Sequence, residues 1–577
     1  MAEASALELR VRRLALGNAI DHKGSARPGP IVARLLATDP SLRALTSELM
    51  PLVTRVCAEV DALPPEERES ALATLGGAEP KGRESSGGSA AELPPLPGAQ
   101  PGSVVLRLAP FPSGALHIGN ARMLFIHDEY RRRYDAQLYL VFDDTPGSEL
   151  KRVDAEMFDL ILRDLELADI RIDRVFYKSD RVPRFYPWAR RVIDAGGAYV
   201  CTCEKETLRA NRVAGLACPE RTQSREETLE LWERMLGGSF GEGEAVLRLR
   251  TDLQDPDPAF RDRVLLRISE LDHPRVGRKY RVWPMLEFSW AVDDIELGLT
   301  HVIRGKDLVM EDRMQQYIWE LLQIRGPPFL HWGLLRVREA KISKSKSYAE
   351  VKGGVFDGWA DPRTWSLQSL DRRGIRLDAL RRFILSFGMS LSDIEVPAET
   401  LYAENRQLID ATTERRAFVP EPVRVEVEGY PGELTEVHLA NHPERKELGE
   451  RTVPAGPDFW LPRADLVKHA GSEIRLKDLL NIQLPALTAE ALPDPVRARF
   501  TSRENRRLPR IQWVGVEGSV PVDLLDLEGH HALGRGEAAL RRARPRDVLQ
   551  FERVGFVRVE SDWTPGAEPV RVCFGHP

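Results

Sequence analysis

Two short segments carry residue types suited to an anionic, phosphate-bearing ligand. The first is LAPFPSGALHIGNAR, residues 108–122. Its prolines and glycines constrain a turn, and a helical pattern begins directly behind it. A helix N-terminus presents unpaired N–H groups and a partial positive charge, which suits phosphates. Pro110 shapes the turn, and Gly114 and Gly119 would let backbone approach a flat or anionic ligand. His117 falls at the helix start, where a ring N–H can reach a phosphate oxygen. A capping histidine in an ordinary strand–helix loop is the plainer reading of the same residues. The second segment is KISKSKS, residues 341–347. Alternating lysines and serines are often only a solvated charge run. In an ATP site, flexible ammonium groups could follow charge as it moves onto a departing pyrophosphate.

Elements must hold these segments in place. VVLRLAP (104–110) reads as a buried strand, a helix follows from about Ile118 to Tyr134, and AQLYLVFDD (136–144) reads as a second strand. Strand, loop, helix and strand in that order make a βαβ unit and predict a parallel sheet. A second α/β stretch runs from about Pro284 to Gln323, ahead of KISKS. The section between, about 200–283, holds three of the five cysteines and reads as an insertion between two halves of one domain. Leu45, Leu49, Leu52, Val53, Val56, Val60 and Leu63 recur at helical spacing near the N-terminus. Residues 76–103 are rich in Gly, Ser, Pro and Glu and read as a linker. The stretch from about 370 to 415 is helical and basic. After Pro420, short alternating segments such as VRVEVEGY, RIQWVGVEG and VLQFERVGFVRVES are broken by Pro and Gly, which predicts β-barrels.

The totals set bounds. A chain of 577 residues is too long for one core, and three to five domains of about 150 residues each are expected. With 82 basic and 88 acidic residues the net charge is -6, which excludes a histone-like or polybasic protein. It leaves nucleic acid open, because binding needs a local basic face and not a basic total. Five cysteines, Cys57, Cys201, Cys203, Cys218 and Cys573, are few and odd in number, so a reducing compartment is the default. The opening MAEASALELRVRRL has no apolar signal-peptide core, and no apolar run approaches the roughly 20 residues of a membrane helix. The expectation is a cytoplasmic protein with no membrane association.

Taken together, HIGN behind a first strand and KISKS behind a second α/β half resemble the HIGH and KMSKS signatures of class I aminoacyl-tRNA synthetases. RLAPFPSGALHIGNAR (107–122) looks like the corresponding segment of glutamyl-tRNA synthetases. So do FDDTPGSELKRVD (142–154), GGAYVCTC (196–203), VDDIELGLTHVIRGKDL (292–308) and FDGWADPRTWSLQSLDRRGI (356–375). NAIDHKGSARPGPIVARLLA (18–37) is similar to the extension of archaeal members, and the β-rich C-terminal third to the archaeal and eukaryotic branch.

The resemblance implies a multidomain α/β protein with a Rossmann-like catalytic domain. Its expected parts are a helical N-terminal appendage (1–75), a flexible linker (76–103), catalytic half one (104–200) and an inserted acceptor-stem-binding domain (201–283). Catalytic half two with the KISKS loop (284–345), a helical stem-contact region (346–418) and a β-barrel anticodon-binding region (419–577) follow. The implied reaction is ATP-dependent formation of glutamyl-adenylate and transfer of the acyl group to tRNA(Glu), with Mg²⁺ accompanying ATP. By motif position, Pro110, Gly114, His117, Gly119 and Asn120 would face ATP. Lys344 would stabilise the pyrophosphoryl charge, with Lys341 and Ser343 supporting the loop. Asn120 stands where the signature has its second histidine, and can still donate a hydrogen bond.

Arg107 and Arg304 would meet the second carboxylate of the amino acid, for which arginine supplies bidentate geometry. Asp143 would receive the α-ammonium, and Ser113 and Trp290 would line the pocket. Glu287 and Trp290 depart from what relatives often carry. Two arginines aimed at one small ligand favour glutamate over glutamine. A glutaminyl-tRNA synthetase, a small-molecule nucleotidyltransferase and a non-catalytic tRNA-binding paralogue are the alternatives. Cys201, Cys203 and Cys218 resemble the zinc site of the family's inserted domain. A structural zinc needs four ligands, no fourth Cys or His lies near, and Glu204, Glu206 and Glu220 are poor substitutes. Reduced structural cysteines are therefore the expectation.

A tRNA-binding surface is legible without the family. RARFTSRENRRLPR (497–510), which includes Arg506 and Arg507, has six arginines and one acid. RRARPR (541–546) adds Arg541 and Arg542, and DRRGIRLDALRR (371–382) adds Arg372 and Arg373. Such clusters suit phosphate tracking with salt-dependent affinity. Trp513 and Phe551 are expected to stack on anticodon bases. tRNA(Gln) is a further possible partner, and a monomer is expected.

Overall fold

The structure is a computed structural model that describes residues 2–21, 26–29, 31–32, 35, 46–75, 92–146, 152–340, 344–488, 492–566 and 568–577. The chain divides into two compact units, Met1–Ser89 and Ala90–Pro577. In the first, helices α1 (Ala2–Asp21), α2 (Thr46–Asp61) and α3 (Pro65–Thr74) enclose a core that includes Val11, Leu16, Val53, Val56 and Val60.

The second unit opens with β1 (Val105–Leu108), α4 (Ala121–Tyr134) and β2 (Gln137–Phe142), then α5 (Glu156–Leu167) and β3 (Arg174–Tyr177). The three strands are parallel with β2 central. β2 is buried at every position after Gln137, the pattern of a strand covered on both faces. Helix α6 (Lys178–Asp194) leads to an antiparallel four-stranded sheet of β4 (Ala198–Cys201), β5 (Val246–Leu249), β6 (Val264–Ile268) and β7 (Val282–Pro284). That sheet carries two helices, α7 (Lys205–Ala214) and α8 (Arg225–Leu236).

The chain then returns to parallel structure through α9 (Leu286–Glu296), β8 (Val302–Gly305), α10 (Val309–Leu321) and β9 (Phe329–Trp332). The two halves meet at Thr300, just before β8, which exchanges hydrogen bonds with Val105 at the start of β1. Strand order therefore reverses between β1 and β8. In open α/β sheets the crevice at the carboxyl ends of such a pair is where ligands bind. Strand β10 (Leu335–Val337) next pairs in parallel with β11 (Ile394–Val396). Between these two strands lie α11 (Lys344–Lys352), α12 (Leu367–Arg372) and α13 (Leu377–Leu385), and α14 (Glu399–Ile409) follows β11.

Two seven-stranded sheets follow. One runs from Glu414–Arg416 at one edge to Phe418–Pro420 at the other, and only Ala417 separates these two strands in sequence. The other runs from Arg510–Ile511 to Val514–Gly515, again consecutive strands. A sheet whose two edges are neighbours in the chain must curl on itself, and so both form barrels. No described helix is long and apolar enough to cross a membrane.

Close packing behind the site is visible at Gly326. A methyl there would overlap the ring of Trp319, whose Nε1 donates to the Ala291 carbonyl of α9 (2.8 Å). Trp319 also stacks on Phe329. Gly326→Ala is expected to destabilise the catalytic unit by about 1–3 kcal/mol, the usual scale of overpacking. Urea denaturation measures it, and an unchanged midpoint would mean that the indole moves aside freely.

Candidate active site

β1 and β8 bring Arg107 and Arg304 to the same end of the reversal point. Arg107 forms a bidentate pair with Asp294 of α9, Nε at 2.6 Å and Nη2 at 3.1 Å. Arg304 donates from Nε to Asp312 and from Nη2 to Gln315, both at 2.5 Å. Gln315 in turn donates to Asp294 (3.2 Å), and His331 pairs with Asp312. The result is one buried chain, Arg107–Asp294–Gln315–Arg304–Asp312–His331. Trp290 lies against both guanidinium groups, 4.7 Å from Arg107 and 4.9 Å from Arg304. Asp143, at the end of β2, pairs with Lys178 Nζ (2.8 Å), which also donates to Ser289 (2.6 Å).

Exposure separates the residues that face the crevice from those that support them. Arg107, Asp143, Trp290 and Arg304 keep 5–7% exposure, whereas Asp294, Gln315, Lys178 and Ser289 are at 0%. Among the described residues, Arg304 Nη1 and Trp290 Nε1 are buried N–H groups with no hydrogen-bond partner. These are donors left for a ligand. Glu287, by contrast, is turned away and pairs with Arg263 of the inserted sheet's β5–β6 connection. Burial holds its pKa above the ordinary carboxylate value, against the Arg263 charge. Sequence reasoning missed Lys178, Gln315, Asp312 and His331. Asp294 was within a quoted segment, and its signal was a carboxylate one helical turn after Trp290.

The turn after β1 is tightly tied. The His117 N–H donates to Asn120 Oδ1 (3.2 Å) and the Gly119 N–H donates to His117 Nδ1 (3.0 Å), a reciprocal cap at the helix start. An accepting Nδ1 puts the proton of the neutral ring on Nε2. Leu116 and Ile118 exchange backbone hydrogen bonds with Leu367 and Trp365, so the turn is stitched to the segment leading into α12. Gly114 is required by the close approach of Trp359, whose ring lies 2.9 Å from where its Cβ would be. Its smallness thus serves packing on Trp359. His117, Ile118 and Gly119 form one wall of a cavity of about 500 Å³, and Leu334–Arg338, Ala340 and Glu395 form the other. Arg336 and Arg338 in that wall were not anticipated from sequence. Pro110 and Ser113 lie in the same turn, where the Asp143 backbone N–H donates to the Pro110 carbonyl (3.1 Å). Lys341 and Ser343 lie outside the described residues; Lys344 opens helix α11.

Other expectations need correction. Arg373 is 1% exposed, donates to Tyr402 and to the Gly575 carbonyl, and stacks on Trp365. Arg372 pairs with Glu560. Both fasten helix α12 to the last barrel and are not available to phosphates. Trp513 and Phe551 are core residues, Trp513 against Phe459 and Phe551 against Phe418, so neither can stack on a base. Arg506, Arg507, Arg541 and Arg542 are exposed. Arg506 pairs with Glu473, and Arg541 donates to the Gly518 carbonyl.

The three cysteines cluster with a carboxylate. Cys201, Cys203, Cys218 and Glu220 present ligand atoms that all lie within 4.8 Å of one another. Glu220 is held by Thr202 (2.7 Å), and the buried Arg248 guanidinium lies 2.9 Å from Cys218 Sγ. Burial opposes ionisation of Cys218, but Asn211 and Arg248 outweigh it and hold its thiol below the ordinary value. Glu220 thus places a carboxylate where a fourth ligand could come from.

The sequence of the chain matches those of known proteins. Residues 103–411 match the family described as tRNA synthetases class I (E and Q), catalytic domain, and residues 413–498 match its anti-codon binding domain. The chain is 38% identical over 584 residues to the glutamate–tRNA ligase of Methanopyrus kandleri, covering 99% of each chain. It is 38% identical over 558 residues to that of Pyrococcus abyssi, covering 95% of this chain and 96% of the relative. The glutamate–tRNA ligase of Thermococcus kodakarensis is 38% identical over 582 residues, with 98% and 99% covered. The fold is that of a class I aminoacyl-tRNA synthetase. Within that class, the chain belongs to the glutamate–tRNA ligase family.

One carboxylate supports the turn from behind. Asp164 of α5 accepts hydrogen bonds from the Leu116 N–H (2.8 Å) and from Gln368 (3.0 Å). Burial raises its pKa to about 6, against those two bonds. The folded state therefore takes up this proton first as pH falls, and Asp164 makes the fold less stable as pH rises from about 4 to about 6. Asp164→Asn should remove that dependence. Denaturation of both proteins at pH 5 and 7.5 should find the gap shifted in favour of Asn at the higher pH. A gap independent of pH would assign the titration to another group.

Proposed function

We propose that this chain attaches L-glutamate to tRNA(Glu) through glutamyl-adenylate, consuming ATP and releasing AMP and pyrophosphate. The observation that carries the reading is the convergence of Arg107 and Arg304 beside the turn that bears His117. Arg304 Nη1 and the adjoining donors receive the side-chain carboxylate, and Asp143 receives the α-ammonium. The α-carboxylate then faces the α-phosphate of ATP, bound in the cavity between His117–Gly119 and Leu334–Arg338. There is little covalent work for the protein; positioning and charge stabilisation lower the barrier. His117 Nε2–H donates to a phosphate oxygen, and Lys344, with Lys341 and Ser343, offsets charge gathering on pyrophosphate. Mg²⁺ enters with ATP and neutralises phosphate charge.

The barrels and their exposed Arg506, Arg507, Arg541 and Arg542 supply the tRNA surface, and the cytoplasm is the site of action. Charging assays with labelled glutamate and glutamine test the reading. Glutamate should be transferred to tRNA(Glu) in an ATP-dependent reaction, and glutamine should not. Transfer of glutamine instead would overturn it.

A structural zinc fits the Cys201, Cys203, Cys218 and Glu220 cluster in donor type and spacing. The site closes the end of β4 against the segment after α7, and bound zinc would cross-link the two. Elemental analysis of the purified protein should find one zinc per chain. Cys218→Ser should lose it, and Glu220→His should keep it. Protein that neither contains zinc nor takes it up would leave these residues as reduced structural thiols.

A further inference from the structure

Trp290 has a place in the pocket but no part yet in the chemistry. Its ring carries three cations: Arg107 at 4.7 Å, Arg304 at 4.9 Å and Lys178 Nζ at 5.1 Å from the ring centre. Arg304 is held on a second side by Phe329 at 4.8 Å. Three like charges around one buried indole repel each other, and each is anchored separately, to Asp294, Asp312 or Asp143. Anchors alone fix one end of each cation. The flat ring fixes the other, because a guanidinium lying on an aromatic face keeps its N–H edge in the plane of the stack. Trp290 and Asp294 stand one turn apart on α9, so a single helix supplies both the ring and the carboxylate that orient Arg107.

We propose that Trp290 is a positioning and specificity-determining residue for the amino acid, holding Arg107, Arg304 and Lys178 at fixed spacing so that N–H donors face the side-chain carboxylate. Its own Nε1–H and Arg304 Nη1 are buried donors at this pocket that have no hydrogen-bond partner. A carboxylate accepts from all of them. A carboxamide of the same shape sets its N–H₂ against one of these donors and leaves both unpaired, which is how a polar pocket rejects a near-isostere. The inference rests on the reading that Arg107 and Arg304 bind the side-chain carboxylate.

Aminoacylation kinetics of the full-length chain on a tRNA(Glu) transcript test it with three variants. Trp290→Leu should raise the KM for glutamate about tenfold or more, leave the KM for ATP within about twofold, and lower the glutamate-over-glutamine preference about tenfold. Trp290→Phe keeps a stacking face and loses only the N–H, so about threefold is expected. Arg304→Gln reports on the underlying reading: an unchanged KM for glutamate there would overturn the assignment of the arginines themselves. With Arg304→Gln impaired, a Leu variant of wild-type KM and preference overturns the role of Trp290. A Phe variant as impaired as the Leu variant overturns it too. So does a Leu variant that raises both KM values alike with a lowered melting temperature, since that marks a packing defect only.

Discussion

Helix α9 buries three carboxylates, and everything around the site follows from the need to neutralise them. Glu287, Asp293 and Asp294 are 0–2% exposed. A carboxylate so placed is tolerable only if it is paired and hydrogen-bonded. Each finds an arginine from a different part of the chain. Glu287 takes Arg263 from the insertion, Asp293 takes Arg181 from α6, and Asp294 takes Arg107 from β1. One helix therefore locks the inserted domain, the first catalytic half and the substrate-facing strand into one frame. Arg107 is oriented as a by-product of that neutralisation, its guanidinium fixed by the bidentate pair with Asp294.

A second line of contacts reaches the same turn from the C-terminal side. Arg373 donates to the Gly575 carbonyl of the last strand and stacks on Trp365 at 4.7 Å. The Trp365 carbonyl accepts from the Ile118 N–H, one residue after His117. Gln368, on the next turn, joins Leu116 at the Asp164 carboxylate. The turn that bears His117 is thus not a free loop on the parallel sheet. It is a seam between the first strand–helix unit and the segment that carries the barrels. Contiguity of this kind supplies a physical route between anticodon-reading and catalytic parts, although energetic coupling along it is a separate property.

Sequence reading succeeded where a residue's role is set by local chain geometry. The strand–turn–helix at 104–134, the parallel sheet and the barrels all follow from hydrophobic period and from Pro and Gly positions. Arg107 and Arg304 came from motif position in the family resemblance, and the structure brings both against Trp290. Sequence reading failed where burial decides. Arg372 and Arg373 sit in a basic run that reads as a surface, yet Arg373 is an interior staple, because nothing local records that the last strand packs over it. Trp513 and Phe551 each follow a basic run and so read as base-stacking aromatics, but each packs into a barrel core. Lys178 was invisible for the same reason: a lone lysine at a strand–helix junction gives no hint that Asp143 and Trp290 will enclose it.

Glu220 shows how a departure from a motif can be absorbed. Three thiolates and one carboxylate carry four negative charges, and a divalent cation leaves two. Arg248, itself buried, contributes one positive charge 2.9 Å from Cys218. Without a cation the same cluster can ionise only in part, and the thiols divide accordingly. Burial holds Cys201 and Cys203 above the ordinary thiol value, while Arg248 and Asn211 bring Cys218 below it. A histidine in place of Glu220 would remove one negative charge, and Arg248 would then nearly neutralise the occupied site. Carboxylate and guanidinium are therefore best understood together. The acid would supply the fourth ligand of a bound cation, and the arginine beside the sulfurs would make the extra charge tolerable inside the fold.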